Sequence, residues 1–196
     1  MKKIYLIRHG QSRSQTGEDK DGVDPKLSAL GIQQARRLAD PLNNIEIDRI
    51  LISPLRRAQH TYQLSQANAR RAEFDSRVIE SNWGIPDYYK KLLPVVTPDI
   101  AEPDRHDAWL KDVKERCEEL LSELLGCAEE NILLFGHWGL FSTFFLAFTQ
   151  WTDISDRQVK LVASMDNAAI SLFEVDDKGN RIIRYWNDRS HVMDLL

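Results

Sequence analysis

Arg8 and His9 directly follow the apolar run Ile4-Tyr5-Leu6-Ile7, and Gly10 comes next. A buried strand does not end on a cation and an imidazole for packing reasons, because both groups need polar partners or solvent. The pattern recurs downstream. Ile50-Leu51-Ile52 leads through Ser53-Pro54 into Arg56 and Arg57, Val78-Ile79 ends on Glu80, and Ile132-Leu133-Leu134-Phe135 ends in Gly136-His137-Trp138-Gly139. Two imidazoles, two or three guanidiniums and one carboxylate are the parts of a phosphoryl-transfer site. Guanidinium binds phosphate oxygens bidentately and keeps its charge. A neutral imidazole can attack phosphorus. A carboxylic acid can protonate the leaving oxygen.

Residues this far apart in sequence converge only if the chain brings their elements together. Residues 3–8 are predicted as the first strand. Ile32, Ala35, Leu38, Ala39 and Leu42 recur at helical spacing, with Ser28 as N-cap and Pro41 expected to kink or end the helix near Asp40. Residues 50–52 form a second strand, followed by a helix with Ser53 as N-cap and Pro54 at its first position, running to about Asn68. Val78-Ile79-Glu80 is expected to be a short strand. Residues 81–104 are irregular, with Pro86, Pro94, Pro98 and Pro103, and residues 81–106 are expected to form a lid or specificity insertion. Trp109, Leu110, Val113, Cys117, Leu120, Leu121 and Leu124 make an apolar helical stripe that Gly126 ends. Residues 132–135 are a further strand, and a helix follows His137. Ala168–Val175 and Arg181–Trp186 are two strands of a hairpin turning at Asp176–Asn180. The alternation predicts an α/β fold: a three-layer α/β/α sandwich with a mainly parallel sheet and an antiparallel edge. In such a sheet the carboxyl ends of the strands share one edge, where ligands bind.

The 196 residues fit a single domain over 1–196. The net charge of −4 supplies no global basic field for nucleic acid or an anionic membrane, so positive charge must be local to a pocket. No apolar run approaches a membrane span, and the short run after Met1-Lys2-Lys3 is too short for a signal peptide. The two cysteines fit a reducing compartment, and the chain is expected to be cytoplasmic. Neither cofactor nor metal is called for. His60, His106 and His191 are taken as structural or exposed, and Asn167 as a loop-holding hydrogen-bonder.

Six segments, in order and nearly end to end, resemble the histidine phosphatase superfamily, the phosphoglycerate-mutase-like proteins. Leu6-Ile7-Arg8-His9-Gly10-Gln11-Ser12 resembles the opening motif. Leu27-Ser28-Ala29-Leu30-Gly31-Ile32-Gln33-Gln34-Ala35 is similar to the segment that follows it. Ser53-Pro54-Leu55-Arg56-Arg57-Ala58-Gln59-His60-Thr61 resembles the arginine motif, Glu80 with Gly84 the acid-bearing segment, and Gly136-His137-Trp138-Gly139 the second histidine motif. Asn167-Ala168-Ala169-Ile170 matches the segment opening a late strand. The resemblance implies that His9 is a nucleophile that becomes phosphorylated, with Gly10 permitting close approach. Arg8, Arg57 and His137 would bind the phosphoryl group. Glu80 would be the acid on the leaving oxygen and then the base for water. Ser12, Gln15 and Trp138 are candidate substrate-binding residues, although Gln15 stands where many relatives carry Asn and Trp138 where many carry a small residue.

The expected activity is phosphomonoester hydrolysis on a small phosphorylated metabolite, with a bell-shaped rate and a mildly acidic to neutral optimum. Two rivals share the fold. A mutase would return the phosphoryl group to its substrate, and the compactness of the chain favours hydrolysis. A binding module would have lost catalysis, and the full set of central residues argues against it. Metal hydrolysis is disfavoured by the lack of His-x-His or His-Glu-x-x-His spacing and by the neighbouring arginines.

Overall fold

The computed structural model describes residues 1–19, 24–80, 105–150 and 163–195, with side chains of the long central helix from 112 onward. Among these residues six strands form one sheet: β1 (Lys2–Arg8), β2 (Arg49–Ile52), β3 (Arg71–Phe74), β4 (Asn131–Gly136), β5 (Ile170–Val175) and β6 (Arg181–Asp188), in the order β3-β2-β4-β1-β5-β6. β1, β2, β3 and β4 run parallel, while β5 pairs antiparallel with both β1 and β6.

Strict alternation along the central strands makes two cores. Ile4, Leu6, Leu51, Ile132 and Leu134 point to one face. There they meet α5 (Arg105–Gly126) through Val113, Cys117, Leu120 and Leu124, and α6 (Trp138–Thr149) through Leu140, Phe141 and Phe144. Tyr5, Ile7, Ile50, Ile52, Leu133 and Phe135 point to the other face. That face is covered by Leu38 after α2 (Ala29–Arg37), Leu42 of α3 (Ala39–Leu42), Tyr62 of α4 (Arg56–Ser65) and Val192 near the C-terminus. A further short helix, Arg13–Thr16, follows β1. The expected three-layer α/β/α sandwich is thus the fold. No described helix is long and apolar enough to cross a membrane.

Several local expectations are corrected. Residues 78–80 are not a strand: Ser76–Val78 is a 3₁₀ turn, started by the Asp75 carboxylate accepting the Arg77 N–H at 2.8 Å. The strand in this region is β3, an edge strand with Arg71, Ala72 and Phe74 exposed, so it carries no apolar alternation to betray it. Ser53 does not cap α4, and Pro54 is not its first residue. The helix begins at Arg56, whose N–H is taken by the Asp24 carboxylate at 2.9 Å. It ends at Ser65, short of Asn68, with Gln66 left-handed at φ 56°. Pro41 acts one turn earlier than expected. It has no N–H for the carbonyl of Arg37, so α2 stops there and Pro41 sits in the separate turn α3. Residues 81–104 of the expected lid, with Trp83, Tyr88 and Tyr89, lie outside the described residues. Arg105 onward is already α5.

Candidate active site

Main-chain bonds running past the strand ends hold the site residues together. The His9 N–H donates to the Gly136 carbonyl at 3.0 Å, the Arg8 N–H to Ala169 at 3.2 Å, and the Ser53 N–H to Phe135 at 2.9 Å. Gly10 is a glycine for the sake of the scaffold: a Cβ there would lie 2.4 Å from the Gly31 carbonyl oxygen, and one on Gly31 would lie 2.0 Å from that of Gln11. The close approach that Gly10 permits is therefore between this loop and α2. Ser28 caps α2, accepting the Gly31 N–H at 3.0 Å, and so helps fix that contact.

His9 is 4% exposed. Its Nδ1 lies 2.7 Å from the Gly10 carbonyl, which accepts only if Nδ1 carries the proton. Nε2 is then a bare lone pair, and the Arg57 Nε–H donates to it at 3.2 Å. Burial first, then the charges of Arg57 and Arg8, push the His9 pKa well below the usual histidine value. His137 is fully buried. The same causes in the same order, with His9 and Arg116 contributing, hold its pKa well down. The two rings lie 5.1 Å apart between centroids. Ser53 Oγ accepts the Leu55 N–H at 3.3 Å and lies 2.7 Å from His137 Nε2, in a contact whose direction is set by the tautomer of the ring. His137 Nδ1 is buried and has no hydrogen-bond partner among the described residues.

Arg57 is 6% exposed and has the Asp24 carboxylate 3.8 Å from one of its nitrogens. Burial likewise lowers the Arg8 pKa, opposed by Glu80 and Asp166. One Arg8 guanidinium N–H donates to the Met165 carbonyl, and Arg8 Nε is buried with no partner among the described residues. An unsatisfied buried polar atom costs about 1–3 kcal/mol, and Arg8 Nε and His137 Nδ1 leave capacity in this cluster for a bound group. Glu80 joins them from beyond the 3₁₀ turn: its Oε1 accepts the Leu140 N–H of the first turn of α6 at 3.3 Å. One ligand-type atom each of His9, Glu80 and His137 lies within 4.8 Å of the others. The fold thus brings together His9, Glu80, His137, Arg8 and Arg57. The same three atoms have metal-ligand chemistry, yet the His9 lone pair already receives an arginine N–H.

The candidate substrate-binding residues are placed differently. Ser12 is buried, with its Oγ 3.0 Å from Ser14 Oγ and donating to Gln15 Oε1 at 3.1 Å. Gln15 is exposed and pairs with Asn167. The Trp138 indole N–H donates to the Ala163 carbonyl at 3.1 Å, anchoring the segment that carries Met165 and Asn167. Three contributors escaped the sequence reading. Ser53 looked like a cap. Thr61 accepts the Gly10 N–H at 3.0 Å and donates to the Arg57 carbonyl at 2.7 Å; its position four residues after Arg57 was the available signal. Asp24 sits in a polar loop with nothing in its neighbours to mark it.

Comparison with known proteins shows the family and the fold. The sequence model of the histidine phosphatase superfamily (branch 1) matches residues 4–189. A putative phosphoserine phosphatase 2 of Hydrogenobacter thermophilus is 25% identical over the full length of both chains. The adenosylcobalamin/alpha-ribazole phosphatase of Escherichia coli K12 is 40% identical over 63 residues, 32% of this chain and 31% of that protein. Among solved structures, a putative alpha-ribazole-5'-P phosphatase from E. coli superposes with a TM-score of 0.70 at 22% identity, covering 96% of this chain and 98% of the other. A phosphoserine phosphatase of Entamoeba histolytica in complex with 3-phosphoglyceric acid gives a TM-score of 0.70 at 20% identity, covering 98% and 100%. With its motifs in order along a matching fold, the chain belongs to branch 1 of the histidine phosphatase superfamily.

Proposed function

We propose that this protein is a phosphatase that hydrolyses phosphomonoesters of small metabolites through a phosphohistidine on His9. The observation that carries this reading is the state of His9: buried, neutral, its proton held on Nδ1 by Gly10 and its Nε2 lone pair turned toward Arg57, with His137 and Glu80 close by. A nucleophile held in one tautomer and one orientation is already paid its ordering cost.

The substrate's phosphoryl oxygens take the N–H donors of Arg57, Arg8 Nε and His137 Nδ1, and the Arg57 Nε–H leaves the His9 lone pair. His9 Nε2 attacks phosphorus in line as the P–O bond to the leaving group breaks, and protonated Glu80 gives that oxygen its proton. Water then attacks the phosphohistidine, Glu80 takes a water proton, and the P–N electron pair returns to His9, releasing inorganic phosphate. The guanidiniums supply the positive charge that a dication would otherwise bring, so the reaction proceeds without metal. The phosphatase names of the relatives support small phosphorylated metabolites as the substrate class. Cys117, buried, and Cys127, half-buried, are free thiols, which suits the cytoplasm.

The test is a metabolite phosphatase screen with a chelator present, paired with acid-quench trapping of the phosphoenzyme. The expected result is phosphate release that the chelator leaves unchanged, an acid-labile label in the wild type, and neither release nor label in His9→Ala. An acid-stable label, full activity in His9→Ala, or isomer formation without phosphate release overturns it.

A further inference from the structure

We propose that Gln15 and Asn167 are a positioning pair that holds the peptide plane of the nucleophile, with Gln15 acting through Asn167 and not on the phosphate. The proposal rests on the phosphohistidine reading above.

The His9–Gly10 peptide is held at both poles. Its N–H, on Gly10, donates to Thr61 Oγ1 at 3.0 Å. Its carbonyl, on His9, accepts the Ala168 N–H at 3.2 Å and the Asn167 Nδ2–H at 3.1 Å. Consecutive residues deliver two donors to one oxygen here, with Ala168 at φ 57°, a left-handed conformation costly for a residue with a Cβ. The Gly10 carbonyl that holds the proton of His9 Nδ1 is carried by the next peptide, so the aim of the imidazole depends on this plane.

Asn167 serves the carbonyl only if its NH₂, not its oxygen, faces His9. Gln15 decides that. The Ser12 N–H and hydroxyl donate to Gln15 Oε1 at 2.9 and 3.1 Å, which fixes the Gln15 amide with its NH₂ free to donate. Gln15 Nε2 then donates to Asn167 Oδ1 at 3.0 Å, while Asn167 Nδ2 donates back to Gln15 Oε1 at 3.2 Å. The polarity therefore runs one way, from the Ser12 main chain through two amides to the His9 carbonyl. The oxygen of Gln15 is fully used by protein donors, and a glutamine is long enough to reach across to Asn167.

The experiment compares wild type, Gln15→Ala, Gln15→Glu, Asn167→Ala and the double alanine variant, with p-nitrophenyl phosphate as substrate and inorganic phosphate as inhibitor. Thermal unfolding fixes the folded fraction of each. Misplacing a nucleophile by about an ångström costs on the order of 100-fold. Asn167→Ala is expected to lower kcat by about 10- to 100-fold, with KM and phosphate inhibition within about two-fold of wild type. Gln15→Ala lowers kcat in the same way, and the double variant is no worse than Asn167→Ala alone. Gln15→Glu keeps the acceptor for Ser12 and loses the donor to Asn167, so it reproduces the kcat loss; it carries the test if Asn167→Ala does not fold. A rise in KM and in the phosphate inhibition constant for Gln15→Ala at unchanged kcat would make Gln15 a phosphate ligand and overturn the proposal. So would multiplicative losses in the double variant, or unchanged kcat in Gln15→Glu. A wild type with no turnover and no phosphoenzyme overturns the underlying reading itself; turnover in wild type with unaltered variants overturns the positioning role alone.

Discussion

Arg49 and Arg57 are buried to nearly the same degree, 5% and 6% exposed, yet they meet different groups. Arg49 sits at the start of β2 between two carboxylates, Glu73 Oε1 at 2.8 Å and Glu123 Oε1 at 2.7 Å, and Arg77 and Asp75 extend the cluster. Those carboxylates raise the Arg49 pKa, while the carboxyls of Asp75 and Glu123 are held low by their arginine partners. Arg57 instead donates to a neutral imidazole and keeps its carboxylate neighbour Asp24 at 3.8 Å, with that carboxylate already bonded to the Arg56 N–H. Its neighbour Arg8 has its pKa lowered, the reverse of Arg49. A cation whose neighbours are carboxylates at contact distance is satisfied within the fold. Arg57 and Arg8 instead lie beside two buried imidazoles, where an anionic group would meet both charges.

The sharpest way to break this contrast is to remove each arginine in turn. Arg57→Ala is expected to lower kcat/KM by about 100- to 1,000-fold, the loss seen when one preorganised donor to a developing oxyanion is deleted. Arg49→Ala is expected to leave kcat per folded molecule unchanged and to cost about 3 kcal/mol of stability, near the low end for a broken buried pair because Glu73 and Glu123 keep Arg71 and Arg77 as partners. Steady-state kinetics and denaturant melts on both variants decide it; equal kinetic losses would erase the distinction. A second test uses ligand. Inorganic phosphate at one hundred times its Kd is expected to stabilise the wild type and Arg49→Met by about 2.7 kcal/mol and Arg57→Ala not at all, read as shifts in Tm. Stabilisation that survives in Arg57→Ala would place the anion elsewhere.

A third test lies in pH. His9 and His137 are held neutral in the fold, their pKa values depressed well below those of the unfolded chain, and burial lowers that of His191 too. The unfolded state therefore binds more protons below about pH 6.5, and stability falls as pH drops through that value, by up to about 1.4 kcal/mol per pH unit for each histidine. Asp75 and Glu123, with depressed carboxyl pKa values, hold their contribution until about pH 4 and lose it below. Stability against pH is expected to show the histidine slope first, reduced in His137→Asn and unaltered in Arg49→Met. A wild-type curve flat between pH 7 and pH 5 would show that the imidazoles are charged in the fold.

Much of this was legible in the residues. The unbroken apolar runs Ile4–Ile7 and Ile132–Phe135 announced strands buried on both faces, and the polar residues just past them marked the candidate site. The errors share a cause. β3 was missed because an edge strand with exposed side chains carries no apolar period, and residues 78–80 were misassigned because two apolar residues suffice for a buried turn as well as for a strand. Ser53 before Pro54 has the chemistry of a cap, but its hydroxyl meets His137, 84 residues away, and no local rule weighs such a partner.

The sequence by itself determined the layered α/β fold, since hydrophobic period and strand–helix alternation are local properties that packing then amplifies. It also determined the chemical parts, because residue type sets what can attack, bind and donate. Only the tertiary structure decided their states. The neutrality of His9 comes from burial beside Arg57, its tautomer from the Gly10 carbonyl, and the role of Gln15 from an amide 152 residues away. Charge state and orientation depend on distance and dielectric, and these exist only once the chain has closed on itself.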